Sequence, residues 1–92
     1  MKQWQIVAVR LQPQESRSVS RIFEVQVAEG GSAVGYVLVE TVIEHILKRL
    51  VHYYTHVGNS KADVEVVNAH PKFIRTVGDG TISDNLLQLP RY

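Results

Sequence analysis

The chain has no cysteine. Disulfides, thiolate metal sites and a cysteine nucleophile are all excluded. An excess of one charge is also missing: ten Lys and Arg stand against nine Asp and Glu, a net charge of +1. Nothing in the whole-chain charge favours nucleic acid, an anionic membrane or an acidic substrate. No apolar run approaches the ~20 residues that span a bilayer. The apolar run from Ile6 to Val9 behind Lys2 is too short for a signal-peptide core, and no small-residue cleavage site follows it. A soluble cytoplasmic protein is the expectation. Glycine-rich phosphate loops are absent as well. Neither Gly30-Gly31 nor Gly78-Asp79-Gly80 completes a GxxxxGK or GxGxxG pattern.

Hydrophobic residues make up 45% of the 92 positions, which is ordinary for a folded domain and argues against disorder. One domain over 1-92 is expected, burying roughly 60–65% of the unfolded surface. The strongest periodic stretch is Val39 to Val51. Val39, Val42, Ile43, Ile46, Leu47 and Leu50 form one apolar stripe at helical spacing, with polar residues on the other side. Glu44 and Lys48 pair at i,i+4, and Lys48 and Arg49 suit a helix C-terminus. The helix start falls between Tyr36 and Glu40.

The flanks read as strands. Trp4 to Leu11 carries apolar residues at alternate positions on both faces: Trp4, Ile6 and Ala8 on one, Val7, Val9 and Leu11 on the other. That pattern predicts a strand covered on both sides. Pro13 punctuates a polar turn from Gln12 to Ser18, and Val19 to Ala28 is a second strand with Phe23, Val25 and Val27 inward. Ala33 to Leu38 fits either a third strand or the approach to the helix. Beyond the helix, His52 to Thr55, Ala62 to Ala69 and Phe73 to Val77 are strands separated by turns, which makes a meander. Ser83 or Asp84 then caps a helical turn over Asp84 to Leu89, which Pro90 stops.

The last twenty residues, FIRTVGDGTISDNLLQLPRY, carry an aromatic at Phe73, an Arg75-Thr76 pair, an Asp79-Gly80 turn, Asp84-Asn85-Leu86-Leu87 and Leu89-Pro90. This order resembles the C-terminal signature of small, mostly bacterial proteins grouped as domain of unknown function 3892. The stripe of Val42, Ile43 and Ile46 followed by Tyr53-Tyr54-Thr55 resembles that family's middle. The resemblance implies one α+β domain filling the chain and carries no activity with it.

Several clusters bring together side chains capable of chemistry. His52 and His56 lie four apart, and with His45 and His70 they suggest a zinc or nickel site. Such a site needs three or four ligands with supporting contacts, and HExxH is absent, so no metal or other cofactor is expected. Asp63 and Glu65 lie on the polar side of a strand, Asp79 sits between turn glycines, and Asp84 precedes an apolar cluster as a cap does. No serine occupies a GxSxG elbow. No catalytic residue is assigned, and the protein is not expected to be an enzyme. Lys72, Phe73, Arg75, Tyr53 and Tyr54 could form a base-stacking surface, but the RNP pattern is missing.

The expected architecture is α+β: an antiparallel sheet of five or six strands, one long helix on one face and a short C-terminal helical turn. The expected function is a small non-enzymatic binding or interaction module that takes a protein partner, with self-association into a homodimer as one form. A nucleic-acid-binding accessory protein is the alternative, and no membrane role is expected. Trp4, Ile6 and Ala8, a face of Trp4 to Leu11 that one helix cannot also cover, need another cover, either the C-terminal tail or a second copy of the chain, and the second of these is the ground for self-association. Arg75, Asp84, Asn85 and Arg91 are candidates either for a latch, with Arg75 reaching Asp84, or for a ligand pocket.

Overall fold

The computed structural model describes residues 1–77 and 84–92. The Gly78-Asp79-Gly80 turn and the alternative cap Ser83 lie outside the described residues. Six strands form the sheet: β1 (Lys2–Leu11), β2 (Ile22–Glu29), β3 (Ser32–Leu38), β4 (Val51–Val57), β5 (Ser60–Val67) and β6 (Phe73–Thr76), with helix α1 (Val39–Leu47) between β3 and β4. Short 3₁₀ turns cover Val19–Arg21 and Asn85–Gln88. The spatial order is β3-β2-β1-β4-β5-β6, so two antiparallel meanders meet at one parallel seam between β1 and β4. Ala33 to Leu38 is thus a strand, and the α+β expectation holds with one parallel pair at its centre.

β1 differs from its simple alternation for a physical reason. Ile6 pairs with Val27 and Ala8 with Gln26, so Val7 is an extra residue that shifts the register. A bulge of this kind resets which face the following side chains take. Ile6, Val9 and Leu11 therefore all reach the same core, and Trp4 packs against it. Gln5, Ala8 and Arg10 take the opposite side with their partners Ala28, Gln26 and Glu24. β1 thus lacks the second apolar face that strict alternation predicts, and with it that ground for self-association. A second register shift between Arg10 and Leu11 does the same to β2. Ile22 is buried with Val25 and Val27, and Phe23 turns outward at 38% exposure.

The helix is shorter than its stripe. Lys48 caps it, Arg49 adopts the left-handed conformation with φ of 56°, and the chain turns into β4. The Arg49 N–H donates to the Ile46 carbonyl at 3.1 Å and Leu50 N–H to the His45 carbonyl at 2.9 Å. That is a Schellman ending with arginine where glycine is usual. Val39 and Val42 are buried and Ile43 and Ile46 half-buried, but Leu47 and Leu50 are exposed, so the stripe narrows as it leaves the core.

β1 and β4 pair only from Lys2–Val51 to Gln5–Tyr54. Above that point β1 receives a different neighbour. Val9 N–H donates to the Pro90 carbonyl at 3.0 Å, Tyr92 N–H donates to the Val9 carbonyl at 3.2 Å, and Arg91 forms a parallel bridge with Val9. The C-terminal segment fills the fork that opens between the two strands. Its Leu86 and Leu89 join the cluster that α1 also covers. The sheet curls around this core: Ile22, Phe23 and Leu38 near one edge line a cavity with Pro71 and Lys72 just ahead of the edge strand β6. Extents of 30 × 30 × 27 Å fit a curled rather than flat sheet. Helix and segment both lie inside the curl, and nothing among the described elements layers the outside.

Candidate functional site

The outer face gathers the partners that register sets there. Arg10 stands opposite Glu24, Glu24 opposite Leu38, and Gln26 opposite Tyr36. Cross-strand partners share a face, so Arg10, Glu24, Leu38, Gln26 and Tyr36 form adjoining rows on β1, β2 and β3. The bridge at Val9 puts Tyr92 beside Arg10. Its ring lies 5.2 Å from that of Tyr36, and its hydroxyl donates to Glu24 Oε1 at 3.1 Å. The Arg10 guanidinium sits 5.6 Å from the Phe23 ring centre and 5.9 Å from that of Tyr92. Tyr36 is 62% exposed and Leu38 46%. Burial, then the Glu24 carboxylate, hold the Tyr92 hydroxyl well above the usual phenol range, so it remains a donor.

Further along the same face, polar side chains are paired off. His52 Nε2 meets Asp63 Oδ1 at 2.8 Å, and the Arg75 Nε–H donates to Glu65 at 2.7 Å. The Lys61 ammonium lies 4.8 Å from the Tyr54 ring centre. His52 and His56 are four residues apart along β4, about 13 Å by strand rise. Among the described residues no group of three or more His, Asp or Glu is placed to hold a metal ion.

The four residues singled out from the sequence separate. Asp84 and Asn85 work inside the curl. The Asp84 carboxylate accepts the Thr76 N–H at 3.0 Å, the Thr76 hydroxyl at 2.8 Å and the Leu86 N–H at 2.9 Å. The Asn85 amide donates to Ser60 at 3.1 Å and to Thr55 at 3.4 Å. Arg75 turns outward to Glu65, so the partner that holds Asp84 is Thr76 rather than Arg75. Alternation explains it: Arg75 pairs with outward Glu65, and Thr76 with inward Val64. Arg91 donates to the Gln14 carbonyl at 2.6 Å, just past the end of β1. Among the described residues no hydrogen bond or ion pair joins Arg75 or Arg91 to Asp84 or Asn85.

Below the helix end, His45 Nδ1 meets the buried Tyr53 hydroxyl at 2.8 Å. Trp4 stands edge-on to both rings and donates to Glu29 at 3.2 Å. Burial pushes the Tyr53 hydroxyl up to about 12. This cluster is packing with its polar tips satisfied.

A family described as protein of unknown function, DUF3892, matches residues 5–90. The chain belongs to this family. Searches of curated proteins and of solved structures find no match. Membership in DUF3892 assigns no activity, and the outer face supplies the chemistry to be explained. Sequence reasoning does not single out Arg10, Phe23, Tyr36, Leu38 or Tyr92 as a site. One signal for it was available: Tyr36 and Leu38 alternate around Val37 in an uncharged stretch. That becomes informative once Ala33 to Leu38 is a strand. No helix among the described residues is long and apolar enough to cross a membrane.

Proposed function

We propose that this DUF3892 protein is a non-enzymatic binding module of the cytoplasm that takes another protein chain, a second copy of itself included, on the outer face of its sheet. The observation that carries the reading is the cluster of exposed Phe23, Tyr36 and Leu38 around Arg10 and Tyr92. Aromatic residues and arginine are enriched in the cores of protein interfaces and in their hot spots. The use of the other polar groups supports the non-enzymatic reading: Asp84 is spent on backbone and Thr76, and Glu65 on Arg75. Light scattering over a micromolar concentration series tests it. The expected mass rises above the monomer and returns to it in a Tyr36→Ser, Leu38→Ser variant that melts like the parent. A monomer mass throughout removes the second copy as the partner.

The nucleic-acid reading draws on one observation, the Tyr54 ring with Lys61 over it and His52 stacked 6.2 Å away. Neighbouring Asp63 and Glu65 oppose a phosphate backbone. Anisotropy with single-stranded oligonucleotides at low salt is the test, and binding unaffected by Tyr54→Ala would sink it.

A further inference from the structure

We infer that the cavity beside Arg10 is a binding site for a single carboxylate group. This deepens the docking reading by naming the group that the face receives. The cavity holds about 370 Å³ and is lined by Arg10, Leu11, Gln12, Gln14, Phe23 and Tyr92.

The Arg10 guanidinium lies against two rings, Phe23 and Tyr92. Contact with two ring faces confines the guanidinium while leaving its N–H edge available. Arg75 and Arg91 spend that edge on Glu65 and on the Gln14 carbonyl. The Arg10 edge makes no hydrogen bond among the described residues, and its side chain is 53% exposed. Its nearest carboxylate, Glu24, stands off at 4.0 Å and already accepts the Tyr92 hydroxyl. A fixed fork with free donors matches the two oxygens of a carboxylate. Gln12 and Gln14, residues whose side-chain amides are N–H donors, belong to the same lining.

Local charge selects between anions. Arg10 and, held against the Gln14 carbonyl, Arg91 supply two positive charges and Glu24 one negative, so one further negative charge balances the site. A carboxylate brings a single further negative charge. A phosphate brings about 1.5 to 2 at neutral pH, with the Glu24 carboxylate close by to repel it. The site therefore takes a carboxylate in preference to a phosphate.

Three probes titrated into the labelled full chain and followed by amide NMR test this: benzoate, acetyl-glutamate amide and inorganic phosphate. Saturable shifts of Gln12, Gln14 and Phe23 are expected with a carboxylate probe and at least about tenfold weaker binding with phosphate. Arg10→Gln is expected to weaken the carboxylate about tenfold or more while its melting temperature stays that of the parent. Tighter binding of benzoate marks a small aromatic acid as the source, and tighter binding of the blocked glutamate marks an acidic side chain of a partner. No saturation by either carboxylate, equal binding in Arg10→Gln, or a preference for phosphate overturns the proposal. The readout needs no partner protein, so carboxylate binding in a strictly monomeric protein would reject self-docking and keep the site.

Discussion

Replacing Asp84 by Ala is expected to lower stability by about 3 kcal/mol. Its carboxylate accepts three hydrogen bonds between 2.8 and 3.0 Å, two from Thr76 and one from Leu86 N–H. The Leu86 bond is an N-cap bond, whose loss typically costs about 1 kcal/mol. A hydrogen bond to a charged acceptor nets roughly 1.5–3 kcal/mol, and the Thr76 pair shares one carboxylate, so it counts closer to one such bond than two. For a domain of this size about 1 kcal/mol moves the midpoint by roughly 4–8 °C, so Asp84→Ala should melt some 12–24 °C below the parent. Asp84→Asn keeps the cap but offers one acceptor oxygen in place of two, and should fall between. The assay is thermal unfolding by circular dichroism on Asp84→Ala, Thr76→Val and the double variant. The coupling between the two sites should fall in the range of about 0.5–3 kcal/mol seen for residues in contact. A midpoint for Asp84→Ala within a degree or so of the parent, or a coupling near zero, would show that these bonds do not hold the segment.

Alkali should unfold the protein through Tyr53. Its hydroxyl is raised from 10.0 to about 12, so the fold favours the neutral phenol. The stabilisation is whole below pH 10 and is lost as the pH climbs from 10 to 12, about 3 kcal/mol in all. Stability against urea measured across that range should fall less steeply in Tyr53→Phe than in the parent, with the remaining fall coming from the likewise raised Tyr92; parallel curves would refute it. Arg49→Gly should raise stability by about 0.5–1 kcal/mol, because a left-handed non-glycine residue costs roughly 1–2 and glycine gives part of that back in entropy. A lower midpoint would mean that the Arg49 stem lining the apolar cavity at Ile46 and Tyr53 outweighs the strain.

Where local pattern decides structure, the sequence is readable. Val25 and Val27 alternate inward on β2, Val39 and Val42 lead a helix stripe into the core, and Asp84 caps the turn over Leu86. The misreadings sit where one inserted residue changes everything after it. Val7 flips the rest of β1, and the shift after Arg10 turns Phe23 from core to surface; no residue type announces either bulge. The helix ends early because Arg49 takes a conformation that glycine would have signalled. The parallel seam depends on contacts between distant segments, which propensity cannot carry. The same holds for the site. Arg10, Tyr36 and Tyr92 come from far apart in the chain and meet only because the seam admits Tyr92 next to β1.

The filled seam also sets an order of events in time. Val9 hydrogen-bonds to Pro90 and Tyr92 across almost the whole chain, so β1 is made long before its neighbour exists. Contacts this distant are slow to close, because the loop entropy is lost before any bond forms. Until residues 84–92 arrive, the upper half of β1 presents bare N–H and C=O groups, a template for strand pairing between molecules. The matching segment of a second copy carries the same Leu86, Leu89 and Arg91 and would seat in that groove as its own does. A partly folded chain thus carries an open strand edge that its own residues 84–92 close only when folding is complete.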